Sequence, residues 1–226
     1  MNNHFSDSEP QPFVVESTLL QGIAFQHPEV AARCVRSIIS MSPQQEVVFE
    51  FLPKLVKAVE QTGHPDLCLS QFDRFMTASQ DRGRLIKFLN DRPRAVEILV
   101  RIFLNSQYLS QILFRIPDSI YQFTVREHLV ELKSREQFRD EAVNASTSES
   151  TYQDQLNAFR RYQHEQILRL GTCDAFGLMD LRTVTVQLSL LADGLVQACL
   201  FLISQQLGIS LEGFVVFACG KLGGEE

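Results

Sequence analysis

Apolar residues recur at helical spacing almost without interruption from Pro28 to Gly208. This spacing gives each helix one apolar face, and such a face is stable in water only when it packs against another element. With 226 residues, the chain is long enough for one large domain or for a core and part of a second. The sequence therefore predicts a mainly α fold built as a helical bundle.

Composition excludes several classes of protein. The chain is 45% hydrophobic, which excludes wholesale disorder, and its formal net charge is -6. A negative chain is poorly suited to bind nucleic acid or an anionic membrane surface. The most apolar long segment, 184–207, has a longest unbroken apolar run of six residues, whereas a bilayer span needs roughly 20. We therefore expect no nucleic-acid partner and no membrane partner.

Cysteine usage and the N-terminal sequence bear on the cellular compartment. The five cysteines are odd in number, widely spaced and set in apolar stretches, which is typical of reduced core thiols. The first residues, MNNHFSDSEPQP, contain neither the basic region nor the apolar run of a signal peptide. Both features predict a cytoplasmic protein.

Three local patterns predict details of the helical region. Pro53 lies inside an apolar stripe that begins near Ser42, so we expect a kink or break near residues 51–52. A charge-rich helix is expected over 123–143, and residues 145–151 read as a polar loop. Gly208 fits the C-terminal stop of a long helix from about Leu181.

The pattern changes after Gly208. Residues 213–219, GFVVFAC, form a continuous apolar run rich in β-branched and aromatic residues, which predicts a strand buried on both faces. Such a strand needs neighbours to satisfy its backbone groups, and no second strong strand precedes it. We therefore expect its sheet to lie beyond Glu226, in a larger protein or a gene product cut short.

Glycines surround a lysine directly after this run, in Gly220-Lys221-Leu222-Gly223-Gly224. A strand followed by glycines, a lysine and a helix is a recurrent phosphate-binding arrangement, because glycine lets backbone N–H groups approach phosphate oxygens. The segment is not a P-loop, since Val215 and Leu222 stand where that motif requires Gly and Ser or Thr. Neither an Asp-x-Asp pair nor zinc-ligand spacing occurs, so we predict no catalytic residue and no metal ligand in the chain.

Residues 217–226, FACGKLGGEE, closely resemble the GKLGG-x-E signature of glutamine synthetase adenylyltransferases. The resemblance continues upstream: 160–162 with 168–170 resemble the arginine-rich helix of that family, 188–193 its LS-x-LAD helix, and 105–109 a further segment. In that family, the strand and glycine-rich loop open a nucleotidyltransferase domain of the polymerase-β type. The implied fold is thus a helical bundle leading into the first strand of such a domain.

The resemblance implies roles for the final residues. Gly220, Lys221, Gly223 and Gly224 would cradle the phosphates of the nucleotide, and Glu226 would match the glutamate of the signature. Mg²⁺ and ATP or ADP are implied as cofactors. The family binds metal through a Ser-Asp-x-Asp strand about a dozen residues further on, so the 226-residue chain alone is expected to be inactive.

The implied activity is transfer of AMP to a tyrosine of glutamine synthetase, or its phosphorolytic removal, in the regulation of nitrogen assimilation. Glutamine synthetase is the expected partner, and a nitrogen-regulatory signal protein is a second one. Two alternatives stay open: a non-catalytic helical docking module and an inactive gene remnant. The expected organisation is a disordered tail over 1–15, a helical region over 16–208, and the incomplete start of a nucleotidyltransferase domain over 209–226.

Overall fold

The computed structural model of the chain describes residues 19–42, 44–123 and 126–220. These residues form helices joined by short loops and contain no strand, which confirms the predicted mainly α bundle. They divide into two compact units, one ending at Tyr121 and the other beginning at Gln122.

In the first unit, the described residues from Pro28 onward form six α-helices and then a short 3-10 helix. These α-helices are α1 (Pro28–Ser40), α2 (Gln45–Glu60), α3 (Pro65–Ala78), α4 (Arg82–Asp91), α5 (Pro93–Asn105) and α6 (Gln107–Arg115), and the 3-10 helix covers Pro117–Tyr121. Three of the α-helices begin with proline, whose fixed φ suits the first helical position. The core includes Phe72 and Phe103, which meet edge to face with ring centroids 5.1 Å apart.

Pro53 does not break its helix. α2 runs from Gln45 to Glu60 with Pro53 inside it, so a break near residues 51–52 is wrong, and the kink expected there as the alternative stays a prediction. Phe51, Leu52, Leu55 and Val56 around the proline are all buried. Burial of each large apolar side chain contributes about 1.5–3 kcal/mol, and together these contributions exceed the roughly 3 kcal/mol that an internal proline costs.

The second unit contains α7 (Arg126–Leu129), α8 (Arg135–Thr147), α9 (Tyr152–Ala175) and α10 (Leu181–Leu207). The charged helix expected over 123–143 is interrupted, because Ser134 starts α8 with a capping box that it shares with Gln137. The polar loop expected over 145–151 is shorter, since α8 continues to Thr147. α10 ends as predicted, with Gly208 in the left-handed conformation at φ 63°.

α8 and α10 make a close crossing at Gly194. A Cβ built on this glycine would lie 2.7 Å from the Cβ of Phe138 and 2.8 Å from the carbonyl oxygen of Arg135. Both distances are shorter than van der Waals contact, so a residue without a side chain is required. The buried side chains of Phe138, Leu191 and Ala198 pack in the same core.

Within the described residues, one helix is long and apolar enough to cross a membrane, judged by length and composition alone. It is α10, whose most apolar window has a mean hydropathy of 1.8 and is 33% buried in the structure. Core helices share these properties, and α10 packs against both α8 and α9.

All five cysteines are free, but they are not all core thiols. Cys34, Cys68 and Cys173 are buried, whereas Cys199 and Cys219 are exposed, which corrects the prediction for those two. Burial raises the pKa of the Cys68 thiol to about 12, because the thiolate would lose its hydration.

The segment after α10 does not form the predicted strand. Residues 209–219 contain no strand hydrogen-bond pattern, and the side chains from Phe214 to Phe217 are exposed, Phe217 by 84%. The physical reason is that the described residues offer no neighbouring strand to pair with. The burial expected for this run is therefore absent. The expectation that residues 209–226 form the start of a nucleotidyltransferase domain stays a prediction.

Replacing Gly194 by alanine should destabilise the second unit. The added methyl group would overlap Phe138 and the α8 backbone, so we expect the free energy of unfolding to fall by about 1–3 kcal/mol. Thermal melting followed by circular dichroism measures the change. Gly83→Ala is the control: its new Cβ would lie 3.6 Å from the nearest atom, Ser42 Oγ, which is ordinary contact. Equal melting temperatures for the wild type and Gly194→Ala would contradict the crossing.

Candidate functional site

The predicted phosphate-binding loop begins at the edge of the described residues. Gly220 is exposed and has φ 67°, a left-handed conformation that glycine adopts without strain. No atom lies within 4 Å of a Cβ built on it, so there is room for a side chain. Glycine is favoured here because of the backbone conformation. Lys221, Gly223, Gly224 and Glu226 lie outside the described residues, and their roles stay predictions.

The segment leading to Gly220 starts from a fixed point on the second unit. The N–H of Ile209 donates to the carbonyl of Ser204 at 3.1 Å, which completes the turn at the end of α10. Leu211 lines a cavity of about 480 Å³ with Val143 of α8 and Phe201 of α10. The lead-in to the loop is thus tied to the end of α10 by this hydrogen bond, and Leu211 lies at a cavity bordered by α8 and α10.

A buried arginine connects α9 to the backbone after α7. Arg169 is 5% exposed, and its Nη1 donates to the carbonyls of Leu129 at 2.9 Å and Glu131 at 2.7 Å. Its Nε donates to Oε1 of Gln166 at 2.9 Å. The thiol of Cys173 donates to the same Leu129 carbonyl at 3.1 Å. Three donor–acceptor pairs therefore fix this short backbone segment on α9, and the bond to Gln166 orients the guanidinium.

A second group of buried polar side chains lies beside Arg169. Nζ of Lys133 contacts Oε2 of Glu141 at 2.7 Å, and the hydroxyl of Tyr162 donates to the same oxygen at 2.8 Å. Burial, followed by the hydrogen bond to Glu141, raises the pKa of the Tyr162 phenol. Oε2 of Glu141 therefore accepts from both the Lys133 ammonium group and the Tyr162 hydroxyl.

α10 holds the same segment through one amide. The N–H of Lys133 donates to Oε1 of Gln187 at 2.9 Å, and Nε2 of Gln187 donates back to the carbonyl of Lys133 at 3.0 Å. We name the residues of these contacts the Arg169 cluster: Lys133, Glu141, Tyr162, Gln166, Arg169, Cys173 and Gln187. It fixes residues 129–133 from α8, α9 and α10 at once.

The Arg169 cluster positions backbone and does not have the composition of a reaction centre. Its carboxylate and its cations are engaged with one another or with carbonyls. Among the described residues, no group of three or more His, Cys, Asp or Glu side chains could hold a metal ion. What the cluster can do is join α8, α9 and α10 to one another around residues 129–133, and α10 is the helix that precedes Gly220.

Sequence reasoning missed this cluster. Lys133 falls in the charge-rich helix expected over 123–143, yet it is only 8% exposed. Gln187 is a single polar residue within the apolar segment 184–207, and its amide pairs with backbone 54 positions away. The available signal was the position of single polar residues on apolar helix faces, and that pattern does not name the partner.

Comparison with known proteins identifies relatives of the chain. A family model described as glutamate-ammonia ligase adenylyltransferase matches residues 96–226, more than half of the sequence. The matched range contains the whole second unit and the glycine-rich segment. No solved structure gives a significant match.

Individual relatives carry one name. A bifunctional glutamine synthetase adenylyltransferase/adenylyl-removing enzyme of Corynebacterium glutamicum is 25% identical over 92% of this chain and 21% of its own length. Proteins of the same name from Aromatoleum aromaticum and Rhodopseudomonas palustris are 28% and 22% identical, over 77% and 92% of this chain. The chain spans about a fifth of the length of these relatives.

Replacing Arg169 by glutamine should strongly destabilise the second unit. The change removes the guanidinium donors from the carbonyls of Leu129 and Glu131 and leaves Leu129 with only the weak Cys173 thiol donor, so we expect a loss of roughly 3–5 kcal/mol in the free energy of unfolding. Urea denaturation measures it. Arg160→Gln, at an exposed position of the same helix, should change stability by less than about 0.5 kcal/mol. Similar effects for both variants would contradict a buried positioning role for Arg169.

Glu165 should make stability depend on pH in a defined direction. Burial raises the pKa of its carboxyl in the folded state, despite the opposing effect of Arg161. The penalty is absent below the unfolded pKa of about 4 and grows as the pH rises through the folded pKa. Glu165→Gln should therefore raise the melting temperature at neutral pH and leave it unchanged near pH 4.

Glu136 provides the opposite case for this measurement. The pKa of its exposed carboxyl is lowered, first by the Glu136 backbone N–H at the start of α8. Glu136→Gln should lower the melting temperature at neutral pH, and this effect should disappear only as the pH falls through the lowered folded pKa, since the carboxylate stabilises the fold only while charged. Shifts of the same sign in both variants at neutral pH would contradict the Glu165 assignment.

Proposed function

The chain belongs to the glutamate-ammonia ligase adenylyltransferase family, and from this we propose that it forms part of an enzyme that transfers AMP to glutamine synthetase and removes it. The relatives it matches are bifunctional enzymes whose name states both directions. The single observation that carries the proposal is the family match over 96–226, which includes the complete glycine-rich segment.

We assign the chemistry of the glycine-rich segment to nucleotide binding. The backbone N–H groups of Gly220, Gly223 and Gly224 would donate to phosphate oxygens, and the ammonium group of Lys221 would add a positive charge. The left-handed φ of Gly220 supports this role, because it turns the backbone at the entrance to the loop. Glu226 would complete the signature.

Mg²⁺ would neutralise the charge of the nucleotide phosphates when bound. The described residues do not supply a carboxylate cluster for it, so they do not fit the metal and no step is assigned to it here. We place the metal ligands outside the 226 residues and expect the chain alone to show no turnover. ATP or ADP is the proposed nucleotide.

Glutamine synthetase is the proposed protein partner, with a nitrogen-regulatory signal protein as the second one. A cytoplasmic location is proposed with them, and the free cysteines of the chain are consistent with a reducing compartment. In this scheme the helical second unit holds the start of the nucleotide-binding segment in place through α10 and the Arg169 cluster.

The proposal is tested with a chimera. This chain replaces the aligned fifth of the Corynebacterium glutamicum relative, and AMP transfer from labelled ATP to glutamine synthetase is measured, together with AMP removal. Lys221→Ala should lower kcat/KM at least about tenfold, because a charge that contacts phosphate is lost. Lys57→Ala, at an exposed position of α2, should leave both rates unchanged.

Two results would contradict the proposal. The first is a folded chimera with AMP transfer that is insensitive to Lys221→Ala. The second is turnover by the 226-residue chain alone, which would contradict the placement of the metal ligands. Binding of the chain to glutamine synthetase without any effect of Lys221 on catalysis would favour the helical docking module, and a chain without a cooperative melt would favour the gene remnant.

A further inference from the structure

A cavity lined by basic and aromatic residues lies on the first unit. Its lining residues are distant in sequence from the Arg169 cluster and from the glycine-rich segment. The cavity has a volume of about 280 Å³ and is lined by Arg84, Lys87, Phe88, Asp91, Arg92 and Tyr121. Of these, only Tyr121 falls within the range matched by the family model. Neither the Arg169 cluster nor the glycine-rich segment contributes to it.

In the cavity, two aromatic rings contact each other and each ring also contacts one guanidinium group. Phe88 and Tyr121 meet edge to face with centroids 4.6 Å apart. The guanidinium carbon of Arg84 lies 4.6 Å from the centre of the Tyr121 ring, and that of Arg92 lies 4.9 Å from the centre of the Phe88 ring. Both rings are half-buried, so their positions are constrained, and each guanidinium stacks on a ring that has little freedom to move.

This arrangement prepares the two arginines to bind anions. A guanidinium that stacks on a ring keeps the N–H groups at its edge free to donate in the plane, and it has already lost much of its rotamer freedom. Lys87 adds a third cation one helical turn after Arg84. Arg84, Lys87, Asp91 and Arg92 are all exposed to solvent.

The local charge is the reverse of the charge of the whole chain. Residues 82–101 contain six Lys or Arg and two Asp or Glu, whereas the chain has 21 Lys or Arg and 27 Asp or Glu. A negative protein that concentrates cations in one short stretch attracts negative groups to that place and repels them elsewhere.

Asp91 limits the net positive charge of the cavity, and Asp81 and Asp118 are close enough to act on Tyr121. These carboxylates repel every anion, but the repulsion is larger for a polyphosphate or a nucleic acid, whose charges lie close together, than for a peptide with separated carboxylates. The Asp91 carboxylate can also accept from the backbone or a side chain of a protein. Arginine and aromatic residues are also the types enriched at the centre of protein interfaces.

We propose that this cavity is a docking site for an acidic segment of a partner protein. Side-chain carboxylates of that segment accept from Arg84, Lys87 and Arg92, and its apolar side chains lie over Phe88 and Tyr121. The site goes beyond the proposed function, since it involves neither the nucleotide nor the residues assigned to bind it.

The test uses the whole 226-residue chain and a short fluorescein-labelled peptide in which glutamate alternates with leucine. Fluorescence anisotropy gives the Kd, and a peptide of glutamine and leucine serves as the neutral probe. Arg84→Glu and Lys87→Glu should each raise the Kd at least about tenfold, because each reverses a charge that faces the ligand. Glutamate is compatible with a helix at both positions, so the fold should persist.

Arg94→Glu is the matched control, because it makes the same charge change at an exposed position of α5 that does not line the cavity. It should change the Kd less than about twofold. Circular dichroism melts confirm that the three variants are folded.

Four results would overturn the proposal. They are no binding of the acidic peptide, equal binding of the neutral peptide, equal weakening by Arg94→Glu, and complete displacement of the peptide by inorganic phosphate or a short single-stranded DNA at equal charge concentration. The last result would show a general anion site.

Discussion

The second unit depends on the fixation of residues 129–133 by buried polar side chains. Arg169 satisfies two carbonyls of this segment, and Gln187 satisfies both backbone groups of Lys133. Where backbone N–H and C=O groups of such a segment are removed from water, as at Leu129 and Lys133, they need hydrogen-bond partners. Those partners come from α9 and α10. The two helices therefore hold the segment in place, and the segment in turn links the two helices.

Close packing and polar contacts act together in this unit. At Gly194 the α8 and α10 backbones approach so closely that a methyl group has no space. The contact of Lys133 with Glu141 of α8 then has a fixed geometry, at 2.7 Å. A displacement of α10 would disturb both the crossing and the pairing of Gln187 with the backbone. The end of α10, where Gly208 stops the helix, is thereby a defined point from which the glycine-rich segment departs.

The sequence was sufficient for the helical architecture and not for its polar interior. Helical periodicity, proline at helix starts and Gly208 at a helix end all correspond to structure, since these signals are local. Pro53 was misjudged because burial of its neighbours outweighs a local cost. Gln187 and Lys133 are 54 positions apart, and spacing along one helix cannot show which distant backbone a polar side chain will meet. The glycine-rich segment could be predicted as a phosphate-binding site because its chemistry is concentrated in consecutive residues, and that role stays a prediction.

The exposed run from Phe214 to Phe217 shows how a sequence can encode a strand that the described structure lacks. Ordering a residue costs roughly 1–2 kcal/mol in backbone entropy, and burying a large apolar side chain contributes about 1.5–3 kcal/mol. Without a neighbouring strand, forming an extended strand would cost backbone entropy and would not gain the free energy of side-chain burial. The unpaired N–H and C=O groups then stay hydrogen-bonded to water. These side chains are 53–65% exposed from Phe214 to Val216 and 84% exposed at Phe217. A neighbouring sheet would reverse this balance and would at the same time fix the direction in which Gly220 enters the loop.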